Sequence, residues 1–196
     1  MNTLYGLVLA GGQSMRMGRD KGALVFHGTD QTHHLATLLA PYVQEVFVSV
    51  RSQQLGAAHL VGLQAIEDCY PAPTPLNGIV SAMRFKPDAS WLVIAVDMPN
   101  ITCESIATLI AQRGATAIAT CFESPAKGGP DPLFAIWEGH GFAALEALIA
   151  NTHDHLCPRN LLKTLPARIL QGAVAPHVLD NVNTPQELAS LQGVDA

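Results

Sequence analysis

The chain has 196 residues, 48% of them hydrophobic and 14% charged, with a formal net charge of −5. This supplies apolar material for one core, with a single domain over 1–196 as the default, and it excludes a disordered chain. The acidic balance argues against a nucleic-acid or anionic-membrane surface. Four scattered cysteines, Cys69, Cys103, Cys121 and Cys157, form no C-x-x-C pair. They argue against a disulfide framework or structural zinc and fit a reducing compartment. The first apolar run is too short for a membrane span and lacks a basic lead-in, so a cytoplasmic protein is expected.

In chain order, Tyr5–Ala10 reads as a buried strand and runs into Gly11-Gly12-Gln13-Ser14-Met15-Arg16-Met17-Gly18-Arg19-Asp20-Lys21. Glycines let backbone N–H groups approach phosphate oxygens closely, and the cations balance their charge. The spacing is not that of a Walker loop or of a dinucleotide fingerprint, so this is a third kind of phosphate loop. A helix is expected over His33–Tyr42, a strand over Glu45–Val50 and a helix over Gly78–Phe85. Trp91–Val96 is continuously apolar, as a parallel strand covered on both faces should be.

Farther on, Cys103–Gln112 predicts a helix, Ala115–Thr120 and Leu133–Trp137 predict strands, and Phe142–Ala150 predicts another helix. Ser124–Pro132 reads as a loop at the edge of a site, and a short strand is expected around His177–Leu179. Pro185–Leu191 predicts a final helix, with Thr184 as N-cap, Pro185 at N1 and Glu187 completing a capping box. Strand–helix alternation of this kind predicts a three-layer α/β/α sandwich, Rossmann-like, with a mostly parallel sheet. Ligands of such sheets lie beyond the carboxyl ends of the strands.

Four groups of polar residues fall at those ends. The first is the glycine-rich loop. The second is Asp97, after the central strand, which is suited to Mg²⁺ held by one carboxylate plus substrate phosphates, or else to a turn before Pro99. The third is Asp68 with the proline-stiffened segment leading to Gly78, where a glycine at a helix start allows close approach of a ligand. The fourth is Asp180-Asn181-Val182-Asn183-Thr184-Pro185, in which alternation would turn both asparagines to one side. His153-Asp154-His155 with Cys157 reads better as a solvated turn than as a metal cluster.

The run L-A-G-G-x-S-x-R-M-G-x-D-K over Leu9–Lys21 resembles that of MobA-type molybdenum cofactor guanylyltransferases, within the GT-A-like nucleotidyltransferases. So do Ile66-Glu67-Asp68, Pro75-Leu76-Asn77-Gly78-Ile79, Asp97-Met98-Pro99 and Asn181-Val182-Asn183-Thr184-Pro185 with Glu187-Leu188, in family order. The resemblance implies that Leu9, Ala10, Gly11, Gly12, Ser49, Asp68 and Gly78 surround a nucleotide. It implies that Arg16 and Lys21 hold phosphates and that Asp97 ligates Mg²⁺. Asn181 and Asn183 would line the acceptor end, with Asp131 and Arg159 in segments peculiar to a subgroup. GTP and molybdopterin would be the substrates, Gly12 favouring GTP over CTP, and since molybdopterin is labile and better passed directly than released, a molybdenum cofactor biosynthesis or target-enzyme protein is expected as a partner. Departures from the family pattern are Gly28-Thr29-Asp30-Gln31-Thr32, Ser49 where asparagine is frequent, and Thr74 before Pro75-Leu76. A cytidylyltransferase, a transferase for another phosphate acceptor, and a non-catalytic nucleotide-binding adaptor are the alternatives.

Overall fold

The computed structural model describes residues 2–11, 21–25, 28–69, 74–151, 157–182 and 187. Its strands are β1 (Leu4–Leu9), β2 (Val46–Val50), β3 (Gln64–Glu67), β4 (Ser90–Ala95), β5 (Ala119–Ser124), β6 (Gly129–Trp137) and β7 (Ala167–Leu170). Its α-helices are α1 (Gln31–Leu39), α2 (Leu76–Phe85), α3 (Cys103–Ala111), α4 (Phe142–Ala150) and α5 (Pro158–Thr164). The seven strands make one sheet in the order β3-β2-β1-β4-β6-β5-β7. β1 pairs in parallel with β2 and β4, β2 with β3, and β5 with β7. Only β6 runs against its neighbours β4 and β5. The mostly parallel α/β architecture is therefore as expected.

Burial explains why the centre is a strand. Every residue of β4 is buried, because helices cover both faces of the sheet. On one face Tyr5, Phe47 and Trp91 meet with ring centroids 5.5–6.1 Å apart. Alternation then puts Leu7 and Leu9 of β1, Ser49 of β2 and Val93 and Ala95 of β4 on that same face. α2 covers it, contributing buried Leu76, Ile79, Val80, Ala82 and Met83. At the opposite edge from the carboxyl strand ends, Arg113 Nε donates to Glu138 Oε1 at 2.5 Å. Ser90 Oγ donates to Glu138 Oε2 at 2.7 Å. The two charged side chains are 7% and 6% exposed, so this pair is a buried staple between the end of α3 and the end of β6, to which Ser90 ties the start of β4.

Several elements differ from the sequence expectation. β5 lies four residues later, because the strand continues through Glu123 and Ser124 into a hairpin whose pairs are Glu123 with Pro130 and Ser124 with Gly129. Most of Ser124–Pro132 is thus hairpin rather than loop, although it does lie at the carboxyl edge of β4. His177–Leu179 is no strand: Pro176–Leu179 forms a 3₁₀ turn, anchored by buried Val178 and Leu179 and started by Pro176. β3 and β7 escape the sequence pattern because they are edge strands with a single buried residue each. α5 is short and begins at Pro158. The expected final helix, apart from the helical Glu187, and the His153–His155 turn lie outside the described residues.

Candidate functional site

The carboxyl ends of β1, β2, β3 and β4 share one edge of the sheet, and the antiparallel β6 brings its amino end there too. Each end delivers residues of the candidate site. From β1, the Ala10 N–H donates to Ser49 O at 2.9 Å, and the chain reaches Gly11 beside Asp68. A Cβ on Gly11 would come within 2.7 Å of Asp68 Oδ2, so a glycine is required for that carboxylate to sit against the turn. Gly12, Arg16 and Asn183 lie outside the described residues. Lys21 opens a 3₁₀ turn, Lys21–Ala23, that is gripped by the first turn of α1. There Thr32 Oγ1 donates to Gly22 O at 3.1 Å and Gln31 N to Leu24 O at 2.8 Å.

The β2, β3 and α2 ends converge on Asp68. Ser49 Oγ donates to Asp68 Oδ1 at 2.6 Å, and Asp68 N donates to Val50 O at 2.8 Å. Gly78, in the first turn of α2, faces both Ser49 and β1: a Cβ there would overlap Ser49 Oγ and lie 2.7 Å from Leu9 Cδ2. Burial pushes the Asp68 carboxyl above its ordinary range, opposed by the Ser49 hydroxyl and the nearby Arg51 guanidinium. This edge thus combines an acceptor-rich carboxylate and backbone groups with two glycines whose missing side chains leave room for Asp68 beside Gly11 and for Ser49 and Leu9 against Gly78.

At the centre, Asp97 follows β4 by two residues. Val182 N donates to Asp97 O at 2.8 Å, and Asn181 Nδ2 donates to Asp97 Oδ1 at 2.7 Å. Asn181 Oδ1 is buried and has no hydrogen-bond partner among the described residues. A carboxylate beside an unsatisfied amide oxygen is a hard-oxygen donor set, the kind that suits Mg²⁺ completed by phosphates and water. No cluster of three or more His, Cys, Asp or Glu stands among the described residues.

On the β6 side, Asp131 is fully buried. Its Oδ2 accepts from Lys127 Nζ at 2.6 Å and its Oδ1 from Leu133 N at 3.0 Å. This corrects the expectation that Asp131 faces an acceptor: both oxygens are engaged by its own hairpin, whose turn they brace. Arg159, from α5, donates through a terminal guanidinium nitrogen to Lys127 O. Sequence reasoning missed Gln54, which is 8% exposed. Its Nε2 donates to Ala10 O at 2.9 Å, and its Oε1 accepts from Arg51 N at 3.1 Å. Nothing in an isolated glutamine signals that role. It also passed over Arg51, Lys127 and Lys163, of which only Lys127, beside Gly128-Gly129, carried a local cue.

Residues 6–169 match the family model described as the MobA-like NTP transferase domain. The chain belongs to the MobA-like NTP transferase family. This family member is accordingly an enzyme of nucleotidyl transfer. It is 33% identical over 185 residues to a molybdenum cofactor guanylyltransferase of Pseudomonas paraeruginosa, covering 93% of this chain and 91% of that one. It is 31% identical over 191 residues to a molybdenum cofactor biosynthesis bifunctional protein of Synechocystis. That match covers 96% of this chain and 53% of the relative, so the chain spans about half of that protein's length.

Among solved structures, the MobA-like fold recurs in molybdopterin-guanine dinucleotide biosynthesis protein A of Archaeoglobus fulgidus. The TM-score is 0.73 at 21% identity, over 97% of this chain and 98% of that one. A nucleotidyl transferase of Methanothermobacter gives a TM-score of 0.75 at 16% identity, over 99% and 98% of the two chains. No helix among the described residues is long and apolar enough to cross a membrane.

Proposed function

We propose that this chain transfers GMP from GTP to the phosphate of molybdopterin and releases pyrophosphate, with Mg²⁺ as its metal. The observation that carries the reading is the Asn181–Asp97 hydrogen bond, 2.7 Å between residues 84 positions apart. It joins the asparagine of the closing motif to the carboxylate after the central strand, so that nucleotide and acceptor ends meet at one point.

In the reaction an oxygen of the acceptor phosphate forms a bond to the α-phosphorus of GTP. The bond from that phosphorus to the bridging oxygen breaks, and its electron pair leaves with pyrophosphate. A phosphate monoester is largely dianionic at neutral pH, its second pKa being roughly 6, so the nucleophile needs no general base. The barrier is charge repulsion and positioning. Asp68, Ser49, Gly11 and Gly78 seat the nucleoside end. Lys21, together with Arg16, would balance the triphosphate from the glycine-rich loop. Asp97 and Asn181 Oδ1 would hold Mg²⁺, which when bound neutralises phosphate charge. Arg159 and Asn183 belong to the acceptor end.

Pyrophosphate release with Mg²⁺ and molybdopterin, compared for GTP, CTP and ATP, tests the proposal. A strong GTP preference is expected. A CTP preference would keep the mechanism and change the product to a cytosine dinucleotide, and no release with any of the three would overturn the reading.

A further inference from the structure

Leu9 of β1, Ser49 of β2 and Ile66 of β3 stand side by side in register. Two residues farther toward the carboxyl edge, the same level holds Gly11, Arg51 and Asp68. A Cβ on Gly11 would stand 2.7 Å from Asp68 Oδ2 and 3.8 Å from Arg51 Cγ. The bare Gly11 turn therefore has the aspartate carboxylate and the arginine stem against it together.

Arg51 is held in place by its backbone, and its side chain is left unengaged. Its N–H donates to Gln54 Oε1 at 3.1 Å, and Gln54 Nε2 donates to Ala10 O at 2.9 Å, so one amide ties the end of β2 to the end of β1. The Arg51 Nε is buried with no hydrogen-bond partner among the described residues, a state that costs stability unless another group accepts from it. Among those residues the guanidinium also makes no ion pair. It is nevertheless close to Asp68. Burial is the main influence raising that carboxyl, and the Ser49 hydroxyl and the Arg51 charge both pull against it. The two groups thus lie near each other without consuming each other, one offering only N–H donors and the ionised other only acceptors.

Such a pair is complementary to one nucleobase in particular. Guanine presents O6 and N7 as acceptors, which a guanidinium fork can take together. On the adjoining edge it presents N1–H and N2–H as donors, which a carboxylate can take together. Cytosine and adenine each carry a single amino donor group and would leave part of the carboxylate unmatched.

We propose that Arg51 is a base-reading residue, its guanidinium donating to guanine O6 and N7 while Asp68 accepts from N1–H and N2–H on the adjoining edge. This rests on the reading that Asp68 seats the nucleoside of GTP, and it assigns the base group that each side chain takes.

The test is calorimetric titration of GTP, 7-deaza-GTP and ITP, each with Mg²⁺ and without acceptor, into wild type, Arg51→Met and Arg51→Lys. Wild type should bind 7-deaza-GTP, which lacks N7, and ITP, which lacks the N2 amino group, each about tenfold more weakly than GTP. Arg51→Met should weaken GTP about tenfold, bring 7-deaza-GTP within about twofold of GTP, and keep the ITP penalty, because that penalty belongs to Asp68. Arg51→Lys keeps a charge beside Asp68 but loses the planar fork, so it should recover GTP binding only in part. A 7-deaza-GTP penalty that survives Arg51→Met, or full recovery in Arg51→Lys, would reduce Arg51 to charge balance and overturn the assignment. Tighter binding of CTP than of GTP would overturn it too, while leaving nucleotidyl transfer intact. If the Arg51-dependent pattern is seen but molybdopterin elicits no pyrophosphate release, the base reader stands and the reaction falls.

Discussion

Gly78→Ala is the most informative single change to the nucleoside end. The added methyl group would overlap Ser49 Oγ and stand 2.7 Å from Leu9 Cδ2. Leu9 belongs to β1, an interior strand of the sheet, and is 8% exposed, so it has little room to retreat. Overpacking of this kind costs about 1–3 kcal/mol. Alanine gains at most about 1 kcal/mol over glycine in helix propensity, and less in a first turn. A net loss of about 1–2 kcal/mol should lower Tm by about 3–6 °C for a chain of this size.

The gentler escape is for Ser49 to rotate, which breaks its 2.6 Å bond to Asp68 and frees the carboxylate that seats the nucleotide. KM for GTP should then rise about tenfold with kcat much less affected. Thermal melts and initial-rate kinetics check both numbers. The paired variant Ser49→Ala/Gly78→Ala should be less unstable than the two single losses added together, with a coupling of at least about 0.5 kcal/mol. A Tm that stays or rises, together with an unchanged KM, would refute the packing of α2 against β1 and β2 as the device that fixes Asp68.

Three other outcomes are expected. Asp97→Asn should keep the far-ultraviolet circular dichroism spectrum and lose at least about a hundredfold in pyrophosphate release, the scale of one lost electrostatic contact to a transition state. Asp68 titrates above its ordinary value because it is buried. Its protonated form is favoured by folding, so its contribution to stability is fully present below the unfolded pKa and is lost as pH rises through the folded one. Asp68→Asn should therefore gain stability relative to wild type on going from acid to neutral pH, as read from paired denaturant titrations. The variant should also lose the acid limb of the nucleotide-affinity profile. Arg113→Met should cost about 3–5 kcal/mol in denaturant unfolding by stranding Glu138, while kcat per folded molecule stays level, because the pair lies at the far edge of the sheet.

The nucleotide half was legible because its chemistry is local. Glycines at a strand end and an aspartate closing a wholly apolar strand are visible in a few consecutive residues, and β1 and β4 were found from the same runs. The proposed acceptor half was legible only in part, through Asn181 in the closing motif and the residues the resemblance added. Its residues come from a hairpin, a short helix and a 3₁₀ turn, elements with little hydrophobic periodicity, and only folding sets Arg159 beside Lys127. Asp131 shows the limit most sharply. An acidic residue in a glycine- and proline-rich stretch suggests a ligand, but the hairpin register buries it and engages both its oxygens internally. Gln54 shows the converse, a residue with no pattern around it whose amide fixes the Ala10 carbonyl.

The placement of β1 has a consequence for how the molecule comes into being. Of the described strands, β1 is made first and yet sits in the interior of the sheet, and its second neighbour, β4, arrives only when Leu4 can meet Ser90. Asp97 must wait longer still, until Asn181 near the other end of the chain has been made. Contacts so distant along the chain make folding slow, because loop closure must precede their reward. They also make the Asp97 carboxylate late in acquiring its partner, so a nascent chain can form the Ser49–Asp68 pair well before it can form the Asn181–Asp97 one.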